Sequence, residues 1–102
     1  MKTPPTKDLY TGPIPILGRP YQVIYEADII DGAGRLCEGL MDAEREIIRI
    51  QTGMSQPRQE EAILHEIIEA LNAAMECKLK HHVITGLARG LWAAGVRYVE
   101  GG

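Results

Sequence analysis

The sequence predicts an α+β domain in which a short antiparallel sheet packs against a long helix and a C-terminal helix. Three observations carry this. Tyr21-Gln22-Val23-Ile24-Tyr25-Glu26 and Glu46-Ile47-Ile48-Arg49-Ile50 are rich in β-branched and aromatic residues, which suit a pleated, half-buried surface. From Gln56 to Met75 the apolar residues recur at helical spacing instead. Asp31-Gly32-Ala33-Gly34 separates the first strand from the second and has the composition of a turn.

The first twenty residues hold five of the six prolines, which remove backbone donors and stop helices, so residues 1–20 read as an extended, weakly ordered lead-in. Tyr21 to Glu26 is the first strand, and Leu36 to Met41 a second, shorter one. Asp42-Ala43-Glu44-Arg45 is a turn, and the strand Glu46 to Ile50 closes at Gly53, giving two or three antiparallel strands. Ser55 stands where an N-cap belongs, Pro57 falls in the first helical turn, and Glu60 and Glu61 suit the positive end of the helix dipole. The helix runs from about Gln56 to Met75. Its apolar face is Ile63, Leu64, Ile67, Ile68, Leu71 and Met75, with Glu61, His65, Glu69 and Asn72 as a polar stripe beside it. A final helix from His81 to about Ala94 buries Ile84, Leu87, Leu91 and Trp92. Residues 21–95 make the single domain and 96–102 a flexible Gly-rich tail.

At 102 residues the chain has room for one core. A net charge of -3 and scattered Lys and Arg give no field for a phosphate backbone, so nucleic acid is not an expected partner. No apolar run has the length of a membrane span and the N-terminus lacks a secretory h-region, so the expected location is cytoplasmic. Cys37 and Cys77 fit neither a Cys-x-x-Cys knuckle nor a disulfide scaffold and read as reduced thiols.

The chemistry lies in Leu64-His65-Glu66-Ile67-Ile68-Glu69. Positions i and i+4 project from one helix face a turn apart, so His65 and Glu69 can hold one ion between them, as the histidines of His-Glu-x-x-His do. Glu66, next to the first ligand, is then the general base that takes a proton from metal-activated water. An anionic Glu69 lowers the ion's effective charge relative to a second His, which acidifies bound water less.

Three stretches occur in order: Gly39-Leu40-Met41-Asp42 before Ile48-Arg49-Ile50, the helix Glu60 to Asn72 carrying Leu-His-Glu, and Leu79-Lys80-His81 before Ile84. This order resembles the small zincin-like metallopeptidase domains, including short forms encoded by phages and prophages, over about Tyr21 to Leu91. The resemblance implies Zn2+ as cofactor, a peptide or protein substrate, His65 as first ligand, Glu69 as second and His81 as third, with His82 as the substitute for His81. It also implies that the strand before the active helix, Glu46 to Ile50, is a sheet edge that pairs with substrate. Helix extending past Glu69 to Cys77 would carry the chain about 12 Å away, so His81 needs a helix that ends near Met75 and a chain that folds back.

Other readings of the same residues stay open. His65 and Glu69 also fit a solvated hydrogen-bonded pair, and His81-His82 a helix start on the surface. Cys77 is either a thiolate ligand or a small buried filler, and Tyr25 and Tyr98 either oxyanion donors or packing residues. Two functions fit: a zinc-dependent peptidase, or a catalytically inactive phage or prophage accessory protein that uses the fold as an interaction module.

Overall fold

A computed structural model describes residues 13–98 of the chain. The elements are β1 (Pro13–Ile16), β2 (Arg19–Glu26), β3 (Gly39–Asp42), β4 (Ile47–Gln51), α1 (Gln56–Met75) and α2 (His81–Ala93). The domain is α+β as its strand and helix patterns predict, with four strands in the order β1-β2-β4-β3. The sheet is mixed, not wholly antiparallel: β1 pairs antiparallel with β2 and β3 with β4, while β2 and β4 run parallel. A parallel pair needs a long crossover, and residues 27–46 supply it by passing to the far edge as β3 and returning through the Asp42–Glu46 turn. The Asp42 side chain accepts the Arg45 N–H at 3.0 Å and Glu46 takes a left-handed φ of 57°, which closes that turn.

This topology corrects the expected substrate platform. β4 lies between β2 and β3, so its backbone is committed on both sides, and the edge strand next to α1 is β3. β3 also starts later than expected, at Gly39, and Leu36 instead makes an isolated bridge to Ile30 across the Asp31 turn.

One face of the sheet is the core. Ile14, Ile16, Tyr21, Val23, Ile48 and Ile50 are buried on it with Ile63 and Ala70 of α1, and Ile67, Leu71 and Tyr25 pack at its border. The opposite face carries alternate residues such as Gln22, Glu26 and Arg49, with Arg49 paired to Glu26 at 3.2 Å. Residues 13–20 therefore belong to the domain and not to a weakly ordered lead-in; residues 1–12 and 99–102 lie outside the described residues. Pro13 and Pro15 are tolerated because β1 is an edge strand. Pro15 faces Pro20, a pair with no N–H between them, so the nitrogens of 13 and 15 point outward while Ile14 and Ile16 fill the core. At the other end Tyr98, expected in the flexible tail, packs against the core.

Helix α1 has the predicted span. Ser55 holds the N-cap position but caps nothing with its hydroxyl; its carbonyl accepts the Gln59 N–H, and the fully buried Gln59 side chain donates to the Met54 carbonyl at 2.8 Å. Met75, expected on the apolar face, is the last residue of α1 and is exposed. Helix α2 packs on α1 through Ile84 and Ala88, whereas Leu87 and Leu91 remain 45% and 41% exposed. α2 carries apolar residues on two faces, so periodicity names both and packing selects one. Trp92 donates through Nε1 to Glu60 at 3.1 Å, and Arg97 pairs with the same carboxylate at 3.1 Å, tying the end of α2 to the start of α1. Among the described residues no helix is long and apolar enough to cross a membrane.

Ile14, 1% exposed, tests where the domain begins. Ile14→Ala is expected to lower unfolding free energy by about 2 to 5 kcal/mol in chemical denaturation, a loss that only a core position gives.

Candidate metal centre

The seam between α1, the start of α2 and β3 collects the polar residues that α1 does not bury in the core. His65 and Glu69 stand one turn apart on α1. What brings a third group to them is the way the chain leaves the helix. Glu76 takes a left-handed conformation as C-cap, its N–H and that of Cys77 donate to the Asn72 carbonyl, and Lys78 is left-handed in turn. The Asn72 side chain then holds both backbone groups of Leu79, accepting its N–H at 2.9 Å and donating to its carbonyl at 3.3 Å. The chain is folded back within a few residues, and α2 begins with His81 facing the seam.

His65, Glu69 and His81 thereby converge: each offers a ligand atom, and these atoms all lie within 4.8 Å of one another. The two imidazoles are 5.0 Å apart at their centroids and tilted by 58°, crossed and not stacked. A tetrahedral zinc with bonds of about 2.0 to 2.1 Å has ligand atoms roughly 3.4 Å apart, so ligation would draw the three inward. His81 is exposed at a helix start, where it can turn in. Two imidazoles and a carboxylate form a donor set suited to zinc, and the residues present fit that ion. His82 is exposed and outside this group, as is Cys77 in the turn between the helices, neither ligand nor buried filler. Cys37, half-buried, lines the adjoining cleft, its thiol pushed up by burial and then by the Asp31 carboxylate. Tyr25 and Tyr98 pack against the core.

Glu66 lies beside this group but faces the sheet, and is only 5% exposed. Burial pushes its carboxyl up to about 8, with the negative charge of Glu69 adding to the effect. Burial acts on His65 in the opposite sense, lowering its pKa against the pull of Glu69. Two hollows meet at this point, sharing Leu36, Cys37, Gly39, His65, Glu66 and His81. The larger, about 860 Å³, runs toward Arg58, Arg89 and Trp92; the smaller runs along Leu40 and Met41 of β3. Sequence reasoning missed Asn72 as the clamp and Trp92 as a cleft wall. An Asn in the last turn of a helix followed by a second helix is the signal that points to the first. No protein-family model, curated protein or solved structure matches this chain.

If the three groups hold zinc, Asn72→Ala should weaken its binding by about 10- to 100-fold in calorimetric titration, since it releases the segment that holds His81. Its cost to stability, with exposed hydrogen bonds, should be only about 1 kcal/mol.

In chelator-treated protein Glu66 keeps its proton up to about pH 8 when folded but ionises near 4.5 when unfolded. The folded state thus binds the extra proton in this window, and stability falls as pH rises through it, by at most about 5 kcal/mol. His65 opposes this only below its ordinary value of 6.5, where the unfolded chain takes up the proton more readily. Melting temperature should therefore drop between about pH 6.5 and 8, and Glu66→Gln should remove most of that slope.

Proposed function

We propose that this chain is a zincin-like, zinc-dependent peptidase that hydrolyses peptide bonds. The observation that carries the reading is the convergence of His65, Glu69 and His81 beside a buried Glu66 at the bottom of a cleft. His65, Glu69 and His81 would hold the ion, a ligand set of two His and one Glu. Zinc bound there acidifies water and polarises the scissile carbonyl. The positive charge of the ion would offset the burial that holds the proton on Glu66, and the ionised carboxylate would then accept a proton from the attacking water and return it to the leaving amine as the C–N bond breaks.

The substrate lies extended along β3, the edge strand at Leu40 and Met41, and adds a strand to the sheet there. This gives to β3 the role that the resemblance implies for Glu46 to Ile50. The walls toward Trp92, Arg58 and Arg89 receive the side chains on the other side of the cleaved bond.

Zinc-loaded protein tested on an unbiased peptide library decides the matter. Glu66→Gln is expected to lose about 10²- to 10⁴-fold in rate while keeping its zinc. Glu69→Ala should lose zinc and activity together. Equal turnover by wild type and Glu66→Gln, or none by either with zinc bound, would turn the assignment toward the non-catalytic interaction module.

A further inference from the structure

The described glycines fall into three groups. Gly18, Gly34, Gly53 and Gly95 have positive φ, so the backbone itself asks for glycine there. Gly32, Gly86 and Gly90 have ordinary φ and open space where a Cβ would stand. Gly39 belongs to neither group. Its backbone is not left-handed, yet a Cβ would come within 2.9 Å of Glu66 Oε2, 3.0 Å of Cγ and 3.2 Å of Cδ. All three contacts belong to one side chain. What a methyl group at position 39 would disturb is therefore the carboxylate of Glu66.

We propose that Gly39 is the positioning residue for Glu66, its bare Cα letting the carboxylate lie against the backbone of β3 beside His65 and Glu69. The inference rests on the reading of Glu66 as the base. Gly39 opens β3 and pairs with the buried Ile50, so the strand beneath the carboxylate is fixed by the sheet. Glu66 is fixed from the other side by α1. The nearest atoms facing Gly39 all belong to the Glu66 side chain, and the depth to which it sinks sets where its oxygens stand. A Cβ at position 39 need not break the sheet, because the yielding partner is the far end of a flexible side chain. It moves the base off its place, and a displacement near 1 Å is enough to cost on the order of 10²-fold in rate.

The test is a double-mutant cycle on the full zinc-loaded chain, following hydrolysis of the best-cleaved member of an unbiased peptide library. Gly39→Ala should lower kcat about 10²-fold with KM and zinc content unchanged. Glu66→Asp withdraws the carboxylate oxygens by one methylene, and in that background adding Gly39→Ala should cost clearly less than in the wild type, because the nearest contact, at Oε2, is gone. Gly86→Ala, a helical glycine facing open space, should leave kcat unchanged. An unaltered kcat in Gly39→Ala, or the same loss in both backgrounds, overturns the proposal. Melting temperatures of Gly39→Ala with and without Glu66→Ala give a readout that needs no turnover: the drop should vanish once the Glu66 side chain is removed. If the wild type cleaves nothing, the peptidase reading fails by itself. The melting cycle then still judges the contact, equal drops in both backgrounds overturning it.

Discussion

Helix α1 has to satisfy two neighbours at once, and the arrangement of the site comes from that constraint. Gln59, Ile63, Glu66, Ile67 and Ala70 recur at helical spacing and turn toward the sheet, while His65 and Glu69 lie one position away from that line at the seam with α2. Successive residues on a helix differ in direction by about 100°, so His65 and Glu66, adjacent in sequence, look into different surroundings. One imidazole faces the meeting point of the two helices; the neighbouring carboxylate is pressed into the protein. Helix period alone sorts groups that could hold an ion from the group that could move a proton.

The same geometry sets the local electrostatics. Glu66 loses hydration by burial and stands near the charge of Glu69, and both effects favour its protonated form. His65 is pressed by burial toward its neutral form, the form in which an imidazole can donate a lone pair. A cation among these groups would be attracted by the Glu69 carboxylate, would favour release of the Glu66 proton, and would meet the His65 ring in its lone-pair form. The field of the cluster thus agrees with its donor chemistry.

Much of the architecture was legible because its signals are local. Both ends of α1 could be read from Gln56 to Met75, and the β-branched run at Ile47 to Ile50 marked its strand. The parallel pairing of β2 with β4 was not legible, since strand order depends on which edges meet after the intervening chain has folded. In Pro13-Ile14-Pro15-Ile16 the prolines masked an alternation of exposed and buried residues, although that alternation is itself a strand signal. His65 and Glu69 were legible as a pair from spacing alone. The approach of His81 depends on the Asn72 side chain gripping Leu79, and side-chain bonds to a backbone seven residues on have no periodicity to betray them. Gly39 could be read as a strand residue, whereas its neighbour across the core, Glu66, is visible only in three dimensions.

The prolines of β1 make the two margins of the sheet chemically unequal. At 13 and 15 the outward nitrogens carry no hydrogen, so a further strand arriving there finds donors missing along a four-residue edge. Endless stacking of copies edge to edge requires two receptive margins, one to give and one to receive. With the described strands offering only β3, pairing between copies has to be β3 to β3 about a twofold axis, and such a contact closes on itself after two molecules. Among the described strands, edge pairing of this kind ends at two molecules, and the added copy would lie over its neighbour's cleft.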